Sequence, residues 1–194
     1  MIVSATEEEW DAVIRVHLKG HFCPTRHAAQ HFRERSKRGE DVCGRIINTS
    51  SGAGLLGSVG QGAYSAAKGA IASLTLVEAA ELSRYGVTAN AIAPAARTRM
   101  TEGAFAEMMK KPEDGFDAMD PDNIAPLVAW LASVDSSDVT GRVFEVSGGV
   151  IQLAEGYRHG PSVDRGARWD PADVGPAVRS LLAEGKVPEK VYGA

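Results

Sequence analysis

Tyr64 and Lys68 stand four apart in "GQGAYSAAKGAIASL", a spacing that puts both on one face of a helix. Ser51 lies thirteen positions before Tyr64, at the end of the apolar run "GRIINTS". A tyrosine is a poor acid–base group at its normal pKa of about 10. A cation held beside it favours the phenolate and lowers that value. At an effective dielectric constant of about 20, the attraction across about 4 Å is about 4 kcal/mol before desolvation. A serine hydroxyl next to the pair could hold a substrate oxygen while the tyrosine gives or takes its proton. Tyr/Lys pairs at this spacing also sit on ordinary solvated helix faces. Here the serine and the strand–loop–helix context argue for chemistry.

Two other patterns compete. Gly52-Ala53-Gly54-Leu55-Leu56-Gly57 has the G-x-G-x-x-G spacing of a phosphate cradle. That cradle needs a helix starting at the loop and an acidic residue about 20 positions on, after a second strand. Gly60 and Gly62 disfavour an immediate helix, and Glu78 and Glu81 fall inside a predicted helix. The stretch to Gly62 is read as a loop and the match as coincidence. His17, His21, His27 and His31 form two H-x-x-x-H pairs. No carboxylate or cysteine completes a ligand set, so no metal is expected. A serine hydrolase would need a G-x-S-x-G elbow, which the chain lacks.

The elements that position these residues follow from periodicity. Thr6-Glu7-Glu8-Glu9 is a capping box, followed by Trp10, Val13, Ile14, Leu18 and Phe22 at helical spacing. This helix is predicted to reach about Arg35, with a kink or break near Pro24. Strands are predicted over 44–50, 87–94 and 141–149, and a long helix over 64–86 that stops at Gly86. A short helix is expected over 101–111 and another over 122–133, with Ile124, Leu127, Val128 and Leu131 on one face. Asp170-Pro171 starts a final helix that ends at Gly185. Strands alternating with helices predict a parallel α/β fold.

The bulk composition bounds the function. The 194 residues suit one domain with a real core, and a net charge of −4 without a long basic run gives no sign of nucleic-acid binding. No apolar run approaches the ~18 residues of a membrane span. "MIVSATEEEW" lacks the regions of a signal peptide. Cys23 and Cys43 read as two free thiols in a reducing cytoplasm, so the expected location is cytoplasmic.

The Ser51, Tyr64-x-x-x-Lys68 arrangement resembles the short-chain dehydrogenase/reductase family. "NAIAPAARTRM" (90–100) resembles that family's nicotinamide-contacting segment, and "GRVFEVSGG" (141–149) its last core strand. The resemblance covers residues 1 to about 150. It implies a Rossmann-like doubly wound parallel sheet and an NAD- or NADP-dependent oxidoreductase acting on a secondary alcohol or ketone. It also implies roles. Tyr64 is the general acid/base, Lys68 tunes it and binds ribose, and Ser51 orients the substrate oxygen. Pro94, Ala95 and Thr98 contact the nicotinamide. "VHLKG", "GQGAYSAAK" and "RTRMTE" most resemble the unit of multifunctional β-oxidation enzymes that acts on (3R)-hydroxyacyl-CoA and hydroxysteroids.

Three departures accompany the resemblance. His17 stands where a helical asparagine usually completes the catalytic set, and its ring nitrogens could relay a proton. Pro94-Ala95 replaces Pro-Gly, in a segment one residue short. The family's N-terminal βαβ half, with its glycine-rich turn, has no counterpart, leaving about three strands with flanking helices. The chain is therefore expected to be the C-terminal part of such an enzyme, with residues 1–150 in the dehydrogenase domain. Residues 151–194 form a polar tail with a final helix, for a substrate-side or subunit contact. Weak or no activity is expected of the chain alone. The expected partners are a small-molecule substrate and copies of itself, as a homo-dimer or homo-tetramer. The alternative reading is a non-catalytic oligomerisation or binding module that keeps the helix-pairing surface.

Overall fold

The structure is a computed structural model and describes residues 1–99, 101 and 109–193. The helix expected over 101–111 lies largely outside these. Two compact units are present: Met1–Ala154 with the residues from Val191 onward, and Glu155–Lys190.

The capping box forms as predicted. Glu9 N–H donates to Thr6 Oγ1 and Thr6 N–H to the Glu9 carboxylate, each at 3.2 Å. Helix α1 (Glu7–Ile14) runs into a π turn (Arg15–Lys19) and on into α2 (Gly20–Lys37). The expected break near Pro24 is absent there, since α2 passes through that residue. The irregularity lies upstream instead. Proline lacks an N–H, so Pro24 leaves the Gly20 carbonyl without its regular helical donor, and α2 tolerates this without breaking.

Strand β1 (Gly44–Thr49) alternates buried and half-buried residues. The segment after it is not all loop, because Gly52–Leu56 forms a one-turn helix, α3. Ser51 Oγ caps α3 by accepting from Ala53 N–H at 3.2 Å, and Gly57 ends it at φ +83°. The glycines that disfavour a long helix still permit one capped turn. Helix α4 (Gly62–Leu82) and a 3₁₀ turn (Ser83–Tyr85) stop at Gly86, φ +76°, and lead into β2 (Val87–Ala95). A 3₁₀ turn (Pro121–Ile124) opens helix α5 (Ala125–Ala132), and β3 (Val143–Ser147) follows.

Among the described residues the sheet has four strands, one more than the sequence predicts, in the order β1-β2-β3-β4. The addition is β4 (Val150–Ala154), antiparallel to β3 with Ser147 opposite Val150 across Gly148-Gly149. The other pairs are parallel, with Thr49 opposite Ile92 and Ala95 opposite Ser147.

Helices cover both faces. Ile46 and Ala89 meet Ala79 and Leu82 of α4 and Phe32 of α2. Ile92 and Val146 meet Leu127 and Leu131 of α5, with Ile47 beside them. Neighbours Ile46 and Ile47 thus serve opposite layers, as the period of two in a strand requires. This is the doubly wound arrangement in part.

In the second unit, Asp170 caps helix α6 (Pro171–Glu184) by accepting from Ala172 N–H at 2.9 Å, and Arg165 pairs with Asp173 at 3.0 Å. None of the described helices is long and apolar enough to cross a membrane.

Candidate active site

In open α/β sheets, ligands collect beyond the carboxyl ends of parallel strands. Thr49 ends β1 and Ala95 ends β2, so Pro94 and Ala95 lie at that margin as the last residues of β2 and Ser51 lies just beyond β1. Helix α4 starts at the same end and carries Tyr64 and Lys68 on its first two turns.

Lys68 is 6 % exposed. Its Nζ donates to the Thr49 carbonyl at 2.8 Å, and its own carbonyl accepts from Ser50 Oγ at 2.8 Å. Burial pulls the ammonium's pKa below its ordinary value, because desolvation disfavours the charged form. Nζ lies 5.7 Å from the centroid of the half-buried Tyr64 ring. The cation therefore stands where its field reaches the phenol, with two of its three donors left after the Thr49 bond.

His17 occupies the π turn, with its ring edge-on to Tyr64 at 5.1 Å between centroids. Burial first, then the charges of Lys68 and His21, push its imidazole below the usual histidine range. Ser51 is held by its capping bond to Ala53, which uses an oxygen lone pair and leaves the hydroxyl proton to donate. The exposed Thr98 gives its backbone N–H to Thr101 Oγ1 at 2.7 Å.

The spacing of Gly52, Gly54 and Gly57 has a structural cause. A Cβ on Gly54 would come 2.5 Å from the Lys68 carbonyl carbon, so this glycine lets α3 lie against α4. The room a pyrophosphate would need at Gly54 is taken by α4. The residues present therefore suit the ribose and nicotinamide end of a dinucleotide, through Lys68, Tyr64 and Ser51. They do not supply a phosphate cradle in this segment.

A cleft of about 430 Å³ opens against Tyr64, with Met1, Ile2, Trp10 and Val13 giving it an apolar side. A second groove, about 350 Å³, lies by Tyr85 at the far end of α4 and holds none of the site residues.

Three contributors escaped the sequence reading: Thr49, Ser50 and His21. His21 Nδ1 lies 2.7 Å from the His17 carbonyl oxygen, and Thr49 N–H donates to its Nε2 at 3.2 Å. Both ring nitrogens are thus occupied by main-chain groups. Only the i, i+4 spacing of His17 and His21 hinted at this, and it served equally as a metal-ligand pattern.

Several known proteins have related chains. The family model described as "Enoyl-(Acyl carrier protein) reductase" matches residues 1–151. The hydroxyacyl-CoA dehydrogenase ChsB1 of Mycobacterium tuberculosis is 42% identical over 201 residues, covering 100% of this chain and 62% of that protein. A (3R)-3-hydroxyacyl-CoA dehydrogenase of Rattus norvegicus is 40% identical over 158 residues, covering 77% of this chain and 58% of that protein. The crystal structure of a short chain dehydrogenase from Mycobacterium avium superposes with a TM-score of 0.89 at 61% identity, covering 100% of this chain and 63% of that one. The chain thus spans about three fifths of the length of these relatives.

Proposed function

The chain belongs to the short-chain dehydrogenase/reductase family, and from that premise we propose that it carries the proton-transfer and substrate-orienting half of a nicotinamide-dependent 3-hydroxyacyl-CoA dehydrogenase. The observation that carries this reading is the buried Lys68 ammonium held between the Thr49 carbonyl and the Tyr64 ring.

Ser51 donates its hydroxyl proton to the oxygen on the substrate's third carbon and fixes it near Tyr64. In the oxidative direction that oxygen gives its proton to the Tyr64 phenolate as a carbonyl forms. In the reductive direction the phenol returns it. Lys68 stabilises the phenolate through space and offers its remaining donors to ribose hydroxyls. A bound nicotinamide supplies the hydride acceptor or donor at the carbinol carbon. The apolar side of the cleft by Trp10 and Val13 suits an acyl chain, and (3R) stereochemistry follows the rat relative.

The test is turnover of (3R)- and (3S)-3-hydroxyacyl-CoA with NAD and with NADP. It is run on the 194-residue chain and on a protein of its relatives' full length, with cofactor binding followed by calorimetry. Turnover of the (3R) thioester by the longer protein is expected, with weak or no cofactor binding by the short chain. No turnover by the longer protein with either cofactor would overturn the reading.

A second reading has one observation in its favour. Phe22 of α2 is 50% exposed and Leu76 of α4 is 52% exposed, so these two helices carry uncovered apolar side chains. A discrete oligomer without turnover would favour a non-catalytic assembly module.

A further inference from the structure

Gly52, Gly54 and Gly57 share a regular spacing, yet they do not share a neighbour. Gly54 meets α4. The other two meet the segment Val191–Gly193, which belongs to the first compact unit although the chain leaves that unit after Ala154. A Cβ on Gly52 would stand 2.8 Å from the Tyr192 hydroxyl oxygen and 3.1 Å from its Cε2. The bare glycine is what lets this ring lie over the start of α3. A Cβ on Gly57 would stand 3.4 Å from Val191 Cγ1, at the other end of α3.

Main-chain bonds fix the same contact. Tyr192 N–H donates to the Gly57 carbonyl at 3.2 Å, and Val59 N–H donates to the Tyr192 carbonyl at 2.9 Å. Ser58 and Tyr192 thereby form one rung of a parallel ladder. Burial first, then the charge of Glu145 on β3, push the Tyr192 phenol's pKa up, so the ring lies within reach of that strand. β2 separates β3 from β1. In a doubly wound sheet of order 3-2-1-4-5-6, the earlier strands join beyond the margin that β1 forms here. The bonds and ring contact of Val191–Gly193 just described use no group of β1 and leave that margin clear.

The stretch being held matters because of what it joins. Ser51 and Tyr64 lie thirteen residues apart, at its two ends. Ser51 caps α3, while Gly60, Gln61 and Gly62 line the cleft beside Tyr64. No helix or strand spans Gly57–Gln61 in between. Two hydroxyls that must meet one substrate oxygen tolerate little change in their separation.

We propose that Val191–Gly193 is a clamp on the stretch between the two catalytic hydroxyls, and that Tyr192 is a positioning residue that keeps Ser51 and Tyr64 at their working separation. The proposal rests on the dehydrogenase reading for its effect on turnover, but the clamp has its own structural readout.

Four variants of the full-length enzyme test it. Tyr192→Ala removes the ring, and Tyr192→Phe keeps it. Gly52→Ala places a methyl where the ring lies, and the fourth variant combines Gly52→Ala with Tyr192→Ala. Tyr192→Ala is expected to lower kcat about tenfold with little change in KM, because the clamp does not line the cleft. Tyr192→Phe should stay near wild type. Gly52→Ala should cost about as much as Tyr192→Ala, and the pair no more than either alone, since both act through one contact. Amide exchange at Val59 should be slow in the 194-residue chain and in the full-length enzyme alike. It should quicken in Tyr192→Ala and not in Tyr192→Phe.

Wild-type kcat in Tyr192→Ala would overturn the proposal, as would fast exchange at Val59 in the unaltered full-length enzyme. So would a Gly52→Ala loss that is the same with and without the Tyr192 ring, which would place the effect on Ser51 itself. Loss of the fold in both Tyr192 variants would make the residue a packing element and end the proposal too. An inactive wild-type enzyme counts against the dehydrogenase reading alone, and exchange at Val59 across the Tyr192 variants then decides the clamp.

Discussion

Replacing Tyr64 with phenylalanine keeps the ring against His17 and removes only the hydroxyl that exchanges the proton. A fall in kcat of about two to four orders of magnitude is expected, the range for losing a general acid–base. Thermal melting should be unchanged, because among the described residues no hydrogen bond of that hydroxyl supports the fold, and melting curves beside kinetics check both halves. A second residue, Glu78, makes a prediction about stability. It is buried on α4, takes Asn48 Nδ2 on Oε2 at 2.6 Å, and leaves Oε1 without a hydrogen-bond partner. Burial raises its pKa and the Asn48 bond only partly opposes this. Below the ordinary carboxyl value of 4.5 both folded and unfolded chains hold the proton, so the burial costs nothing there. As pH climbs from that value through the raised folded-state value, the unfolded chain ionises first and stability drops. Glu78→Gln should therefore melt higher than wild type at about pH 8, with the gap closing near about pH 4. Sequence showed Tyr64, Lys68 and Ser51 because their relation is local, a helical period and one short loop. His21 and Thr49 stayed hidden because their roles depend on how a π turn registers against a strand 28 residues away.

Among elements, the contact between α3 and α4 is the tightest test. Gly54→Ala would drive a methyl into the Lys68 main chain, so α3 must move off α4. A loss of about 1–3 kcal/mol in chemical denaturation is expected, typical of overpacking. Turnover should fall as well, since Ser51 caps α3. The capped helices and the alternating strands were legible because each carries its own punctuation: Thr6 and Glu9, Asp170, Gly86, Gly185. Strand β4 was missed because Gly148-Gly149 was read as an ending. Two residues between apolar runs, with Gly148 at φ +54°, make a hairpin. Pro24 misled in the opposite sense. A proline marks a candidate break in a helix, but α2 runs through Pro24, and the irregularity sits at Arg15–Lys19, where no residue type announces a π turn.

At the scale of the whole molecule, α2 and α4 carry exposed Phe22 and Leu76 while β1 and β4 form the sheet's two margins. Phe22→Asp with Leu76→Asp is expected to shift light-scattering mass towards that of a single chain, if copies pair through these helices. Equal masses for variant and wild type would exclude those side chains from the contact. The doubly wound layering was readable from alternating strands and helices, whereas which helix faces stay uncovered is a property of the assembled layers and not of any one segment. One peptide reaches across these layers. The bonds at Thr49 that link the first helix pair to α4 run through its nitrogen and its oxygen. A survey that trims side chains to alanine would score this position as dispensable. Proline, which has no amide hydrogen to give, is the substitution that would expose how much rests on it.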